Sequence, residues 1–160
     1  MANKVSLAAL KRLCLIGGIF FLAMQPVVAQ HKYDGEFAYL QTSGKNALFS
    51  VRVNASKEGD LEEHASVSLL HALMTEGVAG FNSGKPLIDA DKQSKAKSFM
   101  IQFFEGQHKG FVEGAQREDG AQKNTAGQFR GSVYILIRHD QLMRTLEKRG
   151  YRSSNTGKTP

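Results

Sequence analysis

Phe129-Arg130-Gly131-Ser132-Val133-Tyr134-Ile135-Leu136-Ile137-Arg138, running into His139-Asp140-Gln141-Leu142-Met143-Arg144-Thr145-Leu146-Glu147-Lys148-Arg149-Gly150, is the stretch on which the fold turns. Its first half has period two. Phe129, Gly131, Val133, Ile135 and Ile137 share one face, and Tyr134 and Leu136 make the other face partly apolar. A strand apolar on both sides is expected at the centre of a sheet, with both faces covered. In the second half the period changes to that of a helix. Leu142, Met143 and Leu146 form a stripe, Asp140 stands at the capping position, and Arg144, Lys148 and Arg149 gather towards the negative end of the dipole. Gly150 supplies the stop.

Working outward, Ala47, Phe49, Val51 and Val53 alternate with Ser50, Arg52 and Asn54, which predicts a second clear strand. A shorter one over Glu36–Gln41, with Phe37 and Tyr39 alternating, precedes it across the turn residues 42–46, so the pair is expected to form a hairpin. Asp60 and Glu63 have the spacing of a capping box, and a helix is predicted from Asp60 to Glu76 with Gly77 as its left-handed stop. Leu61, Ala65, Leu69, Ala72 and Leu73 fall within one third of its surface, with Val67, Leu70 and Met74 widening the arc. The two alanines would let it lie close against a sheet.

Between these anchors, residues 78–91 read as a long connection carrying Gly80, Asn82-Ser83-Gly84 and Pro86, a length often functional in compact domains. Residues 92–104 fit two patterns. Phe99, Met100, Phe103 and Phe104 have helical spacing, favoured by Ala96 and the neighbouring lysines, while Phe99, Ile101 and Phe103 also alternate as in a strand. A third strand begins at Phe111-Val112, residues 119–127 read as a polar, mobile loop, and 151–160 as a flexible basic tail. The fold class expected is one α+β domain over 30–150: a mainly antiparallel sheet of about four strands with two or three helices on one face.

The amino-terminal residues 1–29 read as a cleavable signal peptide. Lys4, Lys11 and Arg12 precede the apolar run Leu13–Met24, Gln25-Pro26 breaks it, and Val27-Val28-Ala29 offers a cleavage site. About 20 apolar residues are needed to cross a bilayer, so the run is short for an anchor. The protein is therefore expected to be exported, periplasmic or secreted, with no stable membrane anchor after cleavage. Those three cations belong to a segment without acids, so half of the formal net charge of +6 leaves with it. From Arg144 onward the balance is +4, against +3 for the whole exported chain, so residues 30–143 carry −1 and the globular part is near neutral. A nucleic-acid partner, which requires a basic face interleaved with stacking aromatics, is not expected. Cys14, the one cysteine, lies in the leader, so a disulfide, a thiolate metal site and a cysteine nucleophile are excluded from the exported chain.

The order strand, helix, loop, strand, strand, helix, together with the segment Arg130–Gly150, resembles the closing strand and helix of small bacterial envelope domains. These are the lipoprotein-20 type and the amino-terminal domain of flagellar assembly protein T. Phe49-Ser50-Val51-Arg52-Val53 with the alanine-bearing helix resembles their opening unit. The resemblance spans about residues 47–150 and implies an assembly or surface module without catalytic residues. The chain departs from the lipoproteins in lacking their acylated cysteine.

Chemical signatures are few. Gly80-Phe81-Asn82-Ser83-Gly84-Lys85-Pro86 has three residues between its glycines and a proline after the lysine, where a phosphate loop has four and Ser or Thr. His64 and His71 lie two turns apart, about 10 Å of helix rise, too far to share a metal comfortably. Glu62-Glu63 suits a helix's first turn and Glu118-Asp119 a solvated loop. No catalytic, cofactor or metal residues are therefore assigned. The leading expectation is an exported, non-catalytic envelope protein that binds or assembles with another envelope component, through the loop at Phe81 and Lys85 and the aromatic edge Phe103, Phe104 and Phe111. The alternative is a small-molecule or anion-binding domain. An exported hydrolase ranks third; it would bring together two of His64, His71, Glu113 and Asp140.

Overall fold

The computed structural model describes residues 35–118 and 120–153; the leader 1–29, Asp119 and the end of the tail lie outside the described residues. One antiparallel sheet contains β1 (Gly35–Ser43), β2 (Asn46–Ala55), β3 (Val112–Arg117), β4 (Gln122–Lys123) and β5 (Phe129–Ile137). Its order is β1-β2-β5-β3, and β4 pairs with the first residues of β5. Among the described residues, three α-helices complete an α+β fold: α1 (Leu61–Thr75), α2 (Gln93–Phe104) and α3 (His139–Lys148).

The period-two patterns of β2 and β5 interlock in register. Val51 faces Val133, Phe49 faces Ile135 and Ala47 faces Ile137, all fully buried. Against this face lies α1, nine of whose residues are buried, including Leu61, Leu69, Leu70 and Leu73. Each fully buried leucine contributes about 1.5–3 kcal/mol relative to exposure. The approach is close because Gly131 has no side chain: a Cβ there would stand 3.1 Å from Leu61 Cδ1. On its far side α1 meets α2, where the His71 and Phe104 rings are 6.0 Å apart and Gln93 Nε2 donates to the Thr75 carbonyl. Residues 93–104 are thus helical, the choice favoured by Ala96, which is fully buried. As a strand, this segment would have carried Ile101 on the same side as Phe99 and Phe103; as a helix it turns Ile101 outward, 60% exposed.

Several local expectations are corrected. β5 is central, and among the described residues the helices pack on one of its faces. On the other face Tyr134 and Leu136 are half-buried and stand opposite Ser50 and Leu48. The hairpin turn is tighter than 42–46: Ser43 pairs with Asn46, leaving Gly44 and Lys45, with Gly44 at φ +58° as a two-residue type II′ turn requires at its first position. No capping box forms at α1. A 3₁₀ turn over Glu58–Asp60 feeds directly into the helix, Asp60 makes no side-chain cap, and Glu63 pairs with Lys109 at 3.1 Å. Asp140 likewise does not cap α3; Arg138 holds the cap position and Asp140 Oδ2 accepts from Arg144 one turn on.

The segment 78–91 is not an open loop. Leu87 and Ile88 are fully buried and donate to the Leu73 and Met74 carbonyls at 2.8 and 3.1 Å. Residues 120–127 hold β4 and a side-chain-closed turn, in which Asn124 Oδ1 accepts from the backbone N–H of Ala126 and Gln128. The tail, expected to be loose from Tyr151, is docked through Ser153. Tyr151 stacks on Phe99 at 5.4 Å, Arg152 donates to Asn82 Oδ1, and the Ser153 hydroxyl donates to Asp89. That hydroxyl bond, ahead of the backbone N–H of Ser153 and Lys92, holds the Asp89 carboxyl below the usual range.

Candidate functional site

The sheet face away from the three helices is the candidate site, and its residues follow from strand parity. From β1 come Glu36, Ala38 and Leu40; from β2 Leu48, Ser50 and Arg52; from β5 Arg130, Ser132, Tyr134 and Leu136. None of them is buried. The face has two ends. Towards the β1–β2 turn, Leu48 pairs across the strands with Leu136, and Leu40, 46% exposed, stands at the bulge where β1 shifts register between Tyr39 and Gln41. Gly114 faces Leu136 from β3 and adds no side chain, which leaves that leucine open on one flank.

At the other end lies a charge ladder across three strands. Arg130 Nη2 donates to Glu36 Oε1 at 2.9 Å and Arg52 Nη1 to Glu36 Oε2 at 3.2 Å. Arg52 Nε also reaches the Ser132 hydroxyl at 3.4 Å. The side chains are half exposed or more, so each pair adds only about 0.2–1 kcal/mol to stability. Their effect is orientation: one carboxylate fixes two guanidiniums side by side. Between the ends, the Tyr134 hydroxyl donates to Glu118 Oε1 at 2.5 Å. A shallow groove of about 290 Å³ runs beside Arg52, Gln122, Arg130 and Ser132. Such a surface can match a flat partner side chain by side chain; it does not enclose a small molecule.

The five residues expected to contact a partner are placed differently. Phe103 is fully buried, and Phe81 and Phe111 are 7% and 8% exposed, so the aromatic edge is core rather than patch. The reason is mutual packing: Phe103 meets Phe99, Phe104 and Phe111 at 5.1–5.4 Å, and Phe81 wedges between Tyr39, Phe49 and His139. Phe104 is half-buried against His71, and Lys85 alone of the five is exposed. The glycine-rich turn 80–86 bends through positive φ at Gly80, Asn82, Ser83 and Gly84, with Asn82 Nδ2 donating to the Lys85 carbonyl, which is turn chemistry.

Among the described residues, no three His, Cys, Asp or Glu side chains converge to hold a metal ion. Glu113 is bonded to Arg138 and Asp140 to Arg144. Among the same residues, no helix is long and apolar enough to cross a membrane. His71 is half-buried in α1, and burial depresses its pKa, partly opposed by Glu76. The unfolded chain thus binds a proton at His71 more readily than the folded one. Its contribution to stability is complete above the ordinary imidazole value and falls as pH drops through that value towards the folded one. Urea midpoints of the parent should fall between pH 7.5 and pH 5, and His71→Gln should reduce that fall; an unchanged pH dependence would remove His71 from the account.

The charge ladder was not expected from the sequence. Arg52 and Arg130 carry the polar phase of two predicted strands, but only the register brings them to Glu36. Together these features define an α+β domain with its helices on one sheet face and an aliphatic and charged surface on the other. Compared with family models, curated proteins and solved structures, the chain matches none.

Proposed function

We propose that this protein is an exported, non-catalytic module of the cell envelope that holds another envelope protein against the sheet face away from its helices. The observation that carries the reading is that face, with its aliphatic end at Leu40, Leu48 and Leu136 and its oriented guanidiniums at Arg52 and Arg130. A complementary partner would bring aliphatic side chains to the first end and carboxylates to the second. The leader-like residues 1–29 and the resemblance of Arg130–Gly150 to envelope domains support the compartment.

Mass spectrometry of the protein from native cells tests the export half of the reading. A mature chain beginning at Gln30, in the envelope fraction, is the expected result. A chain retaining Met1 in the cytosol would overturn it.

A further inference from the structure

A second feature lies at the end of the sheet, away from the charge ladder: a cleft of about 620 Å³ between the β1–β2 turn and α3. Four cations from three elements line it: Lys45 from the turn, Arg138 at the end of β5, and Arg144 and Lys148 from α3. The walls are tied together, because Asp140 N–H donates to the Lys45 carbonyl at 3.3 Å and Arg138 N–H to the Phe111 carbonyl at 2.8 Å. Carboxylates already hold both guanidiniums. Glu113 accepts from Arg138 Nε, and Asp140 accepts from Arg144 Nη2 at 3.1 Å. Each arginine thereby keeps further N–H donors in a fixed plane, and its charge is balanced locally. The surplus is that of Lys45 and Lys148, two positive charges.

We propose that this cleft binds a phosphomonoester group. Such a group carries between one and two negative charges at neutral pH and three strong acceptor oxygens. That matches two unbalanced ammonium groups flanked by two oriented guanidinium forks. A lone carboxylate would balance one of the two charges only. The volume exceeds what a bare phosphate fills and lies in the range of small-ligand clefts, so room remains for the group that bears it. The bearer can be a soluble metabolite or the headgroup of a phosphatidate lipid.

The test is a nuclear magnetic resonance titration of the purified full chain with glycerol phosphate, with acetate as control, and sedimentation with vesicles containing phosphatidate or neutral lipid alone. Saturable shifts at Lys45, Arg138, Arg144 and Lys148 are expected, with acetate weaker. Lys45→Gln and Lys148→Gln should each weaken binding by about tenfold, as expected for loss of a charge-assisted contact. Both positions are exposed, and circular dichroism checks that the variants stay folded. Binding to phosphatidate vesicles without glycerol phosphate binding, if lost in the same variants, identifies the lipid as the source. No binding to either probe, acetate equal to glycerol phosphate, or unchanged affinity in both variants would overturn the proposal. The sheet-face reading would be untouched by that outcome.

Discussion

Gly77→Ala should destabilise the protein by at least about 3 kcal/mol, while Gly44→Ala should cost only about 1–2 kcal/mol. Both glycines have positive φ, +86° and +58°, so both substitutions carry the left-handed penalty of an L-residue. They differ in surroundings. At Gly44 a Cβ would meet nothing within 4 Å, whereas at Gly77 it would stand 2.2 Å from the Gly84 carbonyl oxygen and 2.8 Å from Lys85 backbone carbon. Gly77 ends α1, its N–H donating to the Ala72 carbonyl at 2.8 Å, and the turn 82–84 folds directly over it. Moving that turn would pull on Leu87 and Ile88, which plug the core beside α1. Against a total stability of about 5–15 kcal/mol, the loss is large. Urea unfolding of the two variants, side by side, decides it; equal losses would mean that the turn does not press on the helix end.

Phe49→Ala should cost about 3–5 kcal/mol, the range for removing a buried aromatic ring. Phe49 is fully buried in mid-β2 and contacts two rings edge-on, Tyr39 at 5.6 Å and Phe81 at 5.3 Å. Those pairs add about 0.5–1.5 kcal/mol each beyond area burial. The ring also joins two parts of the molecule, since Phe81 belongs to the segment after α1 and packs in turn on His139. Phe49→Leu keeps most of the volume and should cost much less, about 1.5 kcal/mol. A similar loss for both substitutions, read from urea midpoints, would show that the aromatic cluster is not what joins the segment to the sheet.

The alternation of Ala47–Asn54 and Phe129–Ile137 made the two central strands readable, because period two survives any choice of partner. The alanines of α1 and the stop at Gly77 were readable for the same reason: they are local requirements. Two kinds of feature were not. Caps depend on the residues before the helix, and at Asp60 a preceding 3₁₀ turn removed the geometry that the side chain needed. Sites depend on register and on which side chains share a face. Phe81, Phe103 and Phe111 carry the same apolar signal whether they plug a core or present a patch, and the fold used them as core. Arg52, Arg130 and Glu36 look like ordinary strand polarity until a three-strand register lines them up.

A partner is expected on the sheet face away from the helices. Site-specific photo-cross-linking in the native compartment tests it directly, with the reactive side chain placed in turn at Leu48, Ser50 and Tyr134, and at Ser94 and Lys97 on the exposed side of α2. One and the same cross-linked protein is expected from the three sheet positions, none from the two helix positions, and its loss when Leu40→Glu or Arg52→Glu is added to a chain that still folds. Cross-links confined to α2, or sheet-face cross-links that survive both substitutions, would contradict it.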